Sequence, residues 1–441
     1  MFMLADKIAD YALSLEYKDL SERALREAKR RIIDTVGVCF PALEAPPVKI
    51  ARDVAAYSTS RYGATVFGSW VKSPVQEAAF ANGCAARYLD YNDTYLSKEA
   101  LHPSDNIPAV LAAAEAEGVD GRELLLGVVA AYEVACRLGD ASSIRDRGWD
   151  HVTYIAISAA VGAAKAMGLD RDRTVQAVNL AATPNIALRQ TRAGELSMWK
   201  GCAAANAARN GLFAALLAKH GMTGPSPVFE GEMGFFKQVS GPLELSFGSG
   251  EPKLVETHIK YYPVEYHAMS AVDAARKIRE KVAPDEISEV YVDTFSVGWR
   301  IIVKDPEKWD PKTKETADHS LPYVVAATLV DGSIWLDSYL EWKLRDPSVR
   351  RLLNVMKVNV DPEFDKMYPE STPVRVKVVT KGGSAYTEEV TYPRGHFKNP
   401  LSDEEVETKY LRCGGPKDAL PTLWGLEKKS VRELVEALKT G

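Results

Sequence analysis

Residues 152–167, VTYIAISAAVGAAKAM, read as a helix: one charge, Lys165, small side chains throughout, and Gly168 as the stop. Segment 201–219, GCAAANAARNGLFAALLAK, has the same character and closes in the Gly221 region. Working outward, 107–117 has Pro108 in its first turn and Gly118 behind it. A further helix runs from about Arg122 to Leu138, and 171–182 stops before Pro184. Toward the start, Leu20, Ala24, Ala28, Ile32 and Val36 keep the three-and-four spacing of one helix face. So many Ala and Gly residues on helix faces imply close packing, and the first 280 or so residues read as a helical bundle.

The pattern changes after about residue 285. ISEVYVDTFS (287–296) and VRVKVVT (374–380) alternate like strands, and Lys381-Gly382-Gly383 reads as a hairpin turn into a strand at about 385–392. Helical patterns at 319–331 and 346–354 lie among them, and the closing segment SVRELVEALKT is an amphipathic helix that returns to the first domain. The expected fold is mainly α: a large helical-bundle domain over 1–269, completed by 394–441, and a smaller α+β lid domain over 270–393. A chain of 441 residues exceeds what one core usually organises, which agrees with two domains.

With 55 Lys and Arg against 60 Asp and Glu, the net charge of -5 argues against general affinity for nucleic acid or anionic membrane. Positive charge for an anionic ligand must therefore be local. Cys39, Cys84, Cys136, Cys202 and Cys413 are separated and form no CxxC pair, so neither a disulfide framework nor a zinc site is expected. Charges interrupt the apolar stretches of the opening residues, unlike a secretion signal, and no run reaches the roughly 18 apolar residues a bilayer requires. A cytoplasmic, soluble protein is expected.

Walker loop, GxGxxG, HExxH and GxSxG motifs are missing from the sequence. The informative residues stand just before helices: His102 in LHPSDNIP, His151 in WDHVT, Lys200 in MWKGC and His267 in EYHAMSA. Helix starts offer unpaired N–H groups and a positive dipole end, so their convergence would make an anion site. Arg189, Arg192 and Lys260 are available for further carboxylates. Taken singly, a His so placed is more often a capping or loop residue, and an isolated Lys or Arg is usually a solvated charge. Asp90 and Asp93, with His102 and Asp105, could hold a divalent metal or could be helix-end groups that orient neighbours; no metal is assigned. Tyr323, close to His319 in ETADHSLPYVVAA, is either a core residue with a satisfied hydroxyl or a proton donor.

The segments YLDYNDTYLSKEALHPSDN, WDHVTYIAIS, TRAGELSMWKGCAAANAARNGLFAALLA, GMTGPSPVFEG, IKYYPVEYHAMSA, ETADHSLPYVVAA and GHFKNPLSDEEVETKY resemble, in order, the motifs of the MmgE/PrpD family. The family includes 2-methylcitrate dehydratase, cis-aconitate decarboxylase and iminodisuccinate epimerase. The resemblance implies a helical domain with an α+β lid, a homodimer, an active site between the domains, and no cofactor. It implies active-site roles for Asp93, His102, His151, Lys200, His267 and Tyr323. Tyr91-Asn92-Asp93-Thr94-Tyr95 and Asp150-His151-Val152 are similar to the dehydratase branch. Decarboxylases more often have His at the position of Tyr95 and Pro at that of Val152.

The implied reaction is loss of water from 2-methylcitrate, a small tricarboxylate, to give 2-methyl-cis-aconitate, with citrate as a further candidate substrate. Removing a proton beside a carboxylate builds charge there, which Lys200 would stabilise. His102 would protonate the departing hydroxyl, and His151 would bind carboxylate or act as base. Asp93 would orient a His and raise its basicity, and Tyr323 would act from the lid. Decarboxylation, epimerisation and carboxylate binding without turnover are the alternatives.

Overall fold

The computed structural model describes residues 3–193, 196–248 and 250–439. Gly194 and Glu195 of the TRAGELSMWKG segment and Thr440 of the closing segment lie outside the described residues. The chain divides into two compact units, Met1–Thr257 with Ser402–Gly441, and His258–Leu401.

The first unit is helical. Its leading helices are α1 (Leu4–Ser14), α2 (Glu22–Cys39), α3 (Pro46–Ala55), α4 (Val75–Tyr88), α5 (Ile107–Glu117), α6 (Gly121–Ala141), α7 (Val152–Ala166), α8 (Arg171–Ala182) and α9 (Ala203–Lys219). The sequence signals act as read. Gly118 ends α5 at φ 69°, and the side chains of Asp120 and Asp170 accept N–H groups at the starts of α6 and α8. Small residues set the helix separations. A Cβ on Gly211 of α9 would stand 2.3 Å from the Ala156 carbonyl of α7, and one on Gly83 of α4 would stand 2.7 Å from Ala205 Cβ of α9. Both are closer than van der Waals contact allows, so these backbones meet only because the side chain is missing. Not all of this region is helix. Gly63–Thr65 (β1) and Lys72–Pro74 (β2) pair antiparallel, and helices Asp403–Arg412 and Val431–Leu438 complete the unit. Among the described residues no helix is long and apolar enough to cross a membrane.

The second unit has a sheet in the order β4-β3-β5-β6, from β3 (Ile287–Thr294), β4 (Met356–Val360), β5 (Val374–Thr380) and β6 (Ala385–Val390). β4 pairs parallel with β3; the other pairings are antiparallel. Val290, Val292, Val374, Val376 and Val378 bury one face of β3 and β5, and α10 (Met269–Arg279) packs on the sheet and on helix Leu321–Asp331.

This unit starts at His258 and ends at Leu401, wider than the 270–393 read from the sequence. The cause is aromatic. His258 stacks on Tyr266 and on His396, with ring centroids 5.2 and 4.3 Å apart, and Phe397 N–H donates to His258 Nδ1. Segments 258–269 and 394–401 are thereby tied to each other, and Lys260 and His267 belong to the smaller unit.

Candidate active site

After α4 the chain turns sharply, with Asp90 at φ 53°, a backbone conformation that costs any residue but glycine. A bridge between Tyr95 and Leu101 closes the loop and returns it to His102, which starts the one-turn helix Pro103–Asn106 ahead of α5. Asp93 is fully buried in this loop. Its Oδ1 accepts Ser104 N–H at 2.9 Å, its Oδ2 accepts the Tyr132 hydroxyl at 2.7 Å, and Arg31 Nε of α2 lies 3.7 Å away. Burial pushes its carboxyl up, against the opposing Arg31 charge. Asp93 meets His102 through its main chain: its carbonyl lies 2.7 Å from His102 Nδ1. A carbonyl only accepts, so the neutral ring carries its proton on Nδ1 and its lone pair on Nε2.

The carboxylate that faces His102 Nε2 is Asp90, at 4.0 Å. Asp90 pairs with the buried Arg87 of α4, whose Nε is 3.8 Å from Asp105 Oδ1. Burial pushes Asp105 up to about 7, with Arg87 and Arg192 only partly offsetting it. The carboxylates considered for a metal are thus each engaged, Asp93 by N–H and O–H donors and Asp90 and Asp105 by a guanidinium. Among the described residues no group of three His, Cys, Asp or Glu is arranged to hold a metal.

His151 precedes α7, and its ring lies 5.7 Å from that of His102 between centroids. Its Nδ1 is 2.9 Å from Asp150 Oδ1, while Arg192 Nε holds Asp150 Oδ2 at 3.0 Å. Burial alone would raise Asp150; His151, Arg192 and Val152 N–H together hold it far below the carboxylate range. Burial lowers His151, and Asp150 opposes that only in part. Among the described residues, His151 Nε2 and Arg192 Nη2 are buried with no hydrogen-bond partner.

Lys200 lies on the one-turn helix Met198–Gly201, half-buried, directly ahead of α9. Val152 at the start of α7 and Ala203 at the start of α9 line one cavity of about 470 Å³, together with Ser197 and Trp199. Val152 and Ala203 thus border the same space, whose lining includes neither His151 nor Lys200. Arg189, also half-buried, begins the one-turn helix that ends at Arg192; burial lowers its guanidinium.

In the smaller unit His267 lies on the one-turn helix Tyr266–Ala268, ahead of α10. Glu265 Oε1 is 2.7 Å from its Nδ1, its ring is flanked by Phe295 and Tyr368, and its buried Nε2 has no hydrogen-bond partner among the described residues. Burial disfavours the Glu265 carboxylate, yet His267, His319 and Lys260 together outweigh this and hold it down to about 2. Lys260, 1% exposed, adds its charge nearby. Tyr323 is wholly buried, and its hydroxyl donates to the Ser338 carbonyl. That is the core placement among the two readings given above.

Sequence reading overlooked the groups behind the imidazoles. Asp150 and Glu265 were visible as acids one and two residues before a helix-start His. Arg31 was visible as a charge three residues beyond Ala28, on the buried stripe of α2. Arg87 and Tyr132 carried no local signal.

Residues 6–248 match the MmgE/PrpD N-terminal domain and residues 262–418 the MmgE/PrpD C-terminal domain. The chain is 30% identical over 419 residues to 2-methylcitrate dehydratase of Salmonella typhimurium, which spans 89% of this chain and 85% of that protein. Identity to the mitochondrial 2-methylcitrate dehydratase of Yarrowia lipolytica is 28%, over 88% of this chain and 79% of the other. Cis-aconitate decarboxylase of Homo sapiens is 27% identical, over 92% and 87%. The two domain matches follow one another along nearly the whole chain, and with them the ordered motifs and relatives of near-full length place this protein in the MmgE/PrpD family.

Proposed function

We propose that the protein is a hydro-lyase that removes water from 2-methylcitrate to give 2-methyl-cis-aconitate, using its own side chains as acid and base. The observation that carries this is the facing pair His102 and His151, whose surroundings differ in charge. His151 has Asp150 on Nδ1, a buried ring that disfavours protonation, and an unpartnered Nε2. It suits the base that takes the proton beside a carboxylate. The Asp90 carboxylate favours a proton on His102 Nε2, which suits the acid that protonates the departing hydroxyl.

Lys200 would stabilise the charge that develops on the carboxylate, with the α7 and α9 starts adding their dipoles. Arg192 through Nη2 and Arg189 would bind the remaining carboxylates; His267 and Lys260 form a group of their own with Glu265 within the smaller unit. Asp93 acts by holding the loop and the His102 tautomer, and Tyr323 by packing. Relatives named as dehydratases, at 28–30% identity, and as a decarboxylase, at 27%, support a family lyase; Tyr95 and Val152, where decarboxylases more often have His and Pro, favour dehydration.

The test is incubation with purified 2-methylcitrate and identification of products by mass spectrometry. An unsaturated tricarboxylate without carbon dioxide is expected, and activity should survive EDTA. Carbon dioxide from cis-aconitate with no action on 2-methylcitrate would assign the protein to decarboxylation. Stabilisation by tricarboxylates without turnover would make it a binding protein.

A further inference from the structure

Lys409 lies in the Asp403–Arg412 helix and is 3% exposed. Its Nζ stands 2.6 Å from Asp34 Oδ1 of α2, donates to the Tyr91 carbonyl at 2.9 Å, and lies 3.7 Å from the Tyr91 ring centroid. Burial pushes Asp34 up while Lys409 opposes it. A buried ion pair alone argues neither stability nor function. The contact that matters is the third partner.

Tyr91 sits between Asp90, with its positive φ, and Asp93, whose carbonyl receives His102 Nδ1. On the other side, Arg31 reaches Asp93 from the same face of α2 that carries Asp34, three residues on. The 90–93 segment is therefore gripped by two cations and an acid from two helices distant in sequence.

We propose that Lys409 is a positioning residue for His102. With Asp34 it fixes the main chain at Tyr91, and so holds the Asp93 carbonyl where it keeps the His102 proton on Nδ1. The proposal rests on reading His102 as the acid, and its test separates the two.

Lys409→Met leaves Asp34 buried without its partner, so a loss of stability is expected with the loss of activity. The double variant Asp34→Leu/Lys409→Met removes both charges and leaves no uncompensated ion. It should recover the Tm lost by Lys409→Met, while kcat on 2-methylcitrate stays about 10–100-fold down with KM within about threefold. A merely structural pair would return kcat along with Tm.

Nitrogen NMR of resting enzyme carrying ¹⁵N-histidine reads the tautomer without turnover, with His102 assigned by its disappearance in His102→Gln. At a pH high enough for His102 to have given up its Nε2 proton, wild type should show Nδ1 protonated and the double variant a mixed tautomer. Asp34→Asn, which keeps the ammonium on Tyr91, should retain the wild-type signal. An unchanged His102 signal and wild-type kcat in the double variant overturn the proposal, as does a mixed tautomer in Asp34→Asn. A tautomer change in an enzyme that turns over no tricarboxylate leaves the positioning role standing and removes the acid role.

Discussion

The loop around His102 and the helix start at His151 present the same side chain with opposite support. Behind His102 stands a main-chain carbonyl, which fixes the tautomer and brings no formal charge. Behind His151 stands a buried carboxylate, itself held by Arg192. In front the order reverses: Asp90 faces His102 Nε2, while His151 Nε2 has no hydrogen-bond partner among the described residues. An imidazole thus receives its proton duty from the group ahead of Nε2 as much as from the group behind Nδ1. His267, backed by Glu265 with a bare Nε2, follows the His151 pattern in the other unit.

The largest effect should come from the acid. His102→Gln should lower kcat by about 10²–10⁴ with much smaller change in binding; a variant that is folded by circular dichroism and keeps near-full kcat would remove His102 from the mechanism. Next comes the backing of the base. In Asp150→Asn the amide donates to His151 Nδ1 and forces the ring proton onto Nε2, so kcat should fall by about 10²–10³. Activity within fivefold of wild type would dissolve the distinction between the two histidines.

The same assignment fixes a pH profile. Burial lowers His151 from its ordinary 6.5, so the acid limb of kcat/KM should have its midpoint below pH 6.5. A midpoint above it would exclude a buried neutral base. Lys200→Ala should cost less, about 10–100-fold in kcat with a raised KM, since the ammonium meets the carboxylate before and during charge build-up; a change in KM alone would leave Lys200 as a binding group.

The smallest effect concerns Asp105, whose folded carboxyl is raised from 3.8 to about 7. A raised carboxyl stabilises the fold while protonated, and that contribution fades as pH climbs through about 7. Asp105→Asn imitates the protonated form. It should raise Tm by a few degrees at pH 8 and little at pH 5, and an equal shift at both would disprove the assignment.

Much of the helical unit was legible because its stops are chemical: Gly118 and Gly168 take positive φ, and Asp120 and Asp170 accept N–H groups. Strands β3, β5 and β6 were legible from alternation. The strand β4, MKVNV, was missed because it is a mostly exposed edge with little alternation to show. The boundary at His258 was missed because stacking with His396 leaves no compositional mark at either end. In the site, the helix-start positions of His102, His151, Lys200 and His267 could be read from neighbouring sequence. The use of the Asp93 carbonyl rather than its carboxylate could not, because it depends on how the loop folds back. Arg31 showed as a charge on the buried stripe of α2, but nothing local named the loop it meets, and Lys409 was beyond any local pattern.

The helical unit is discontinuous, formed by 1–257 with 402–441 and interrupted by the smaller unit. During translation Asp34 therefore waits, burial already disfavouring its charge, while more than half of the chain is still to be made. Only when residues beyond 402 leave the ribosome does Lys409 arrive to bind the Tyr91 carbonyl. On this order of assembly a nascent chain stalled within the smaller unit would hold both histidines and lack the clamp on the loop ahead of His102, so a segment made late would arm one made early.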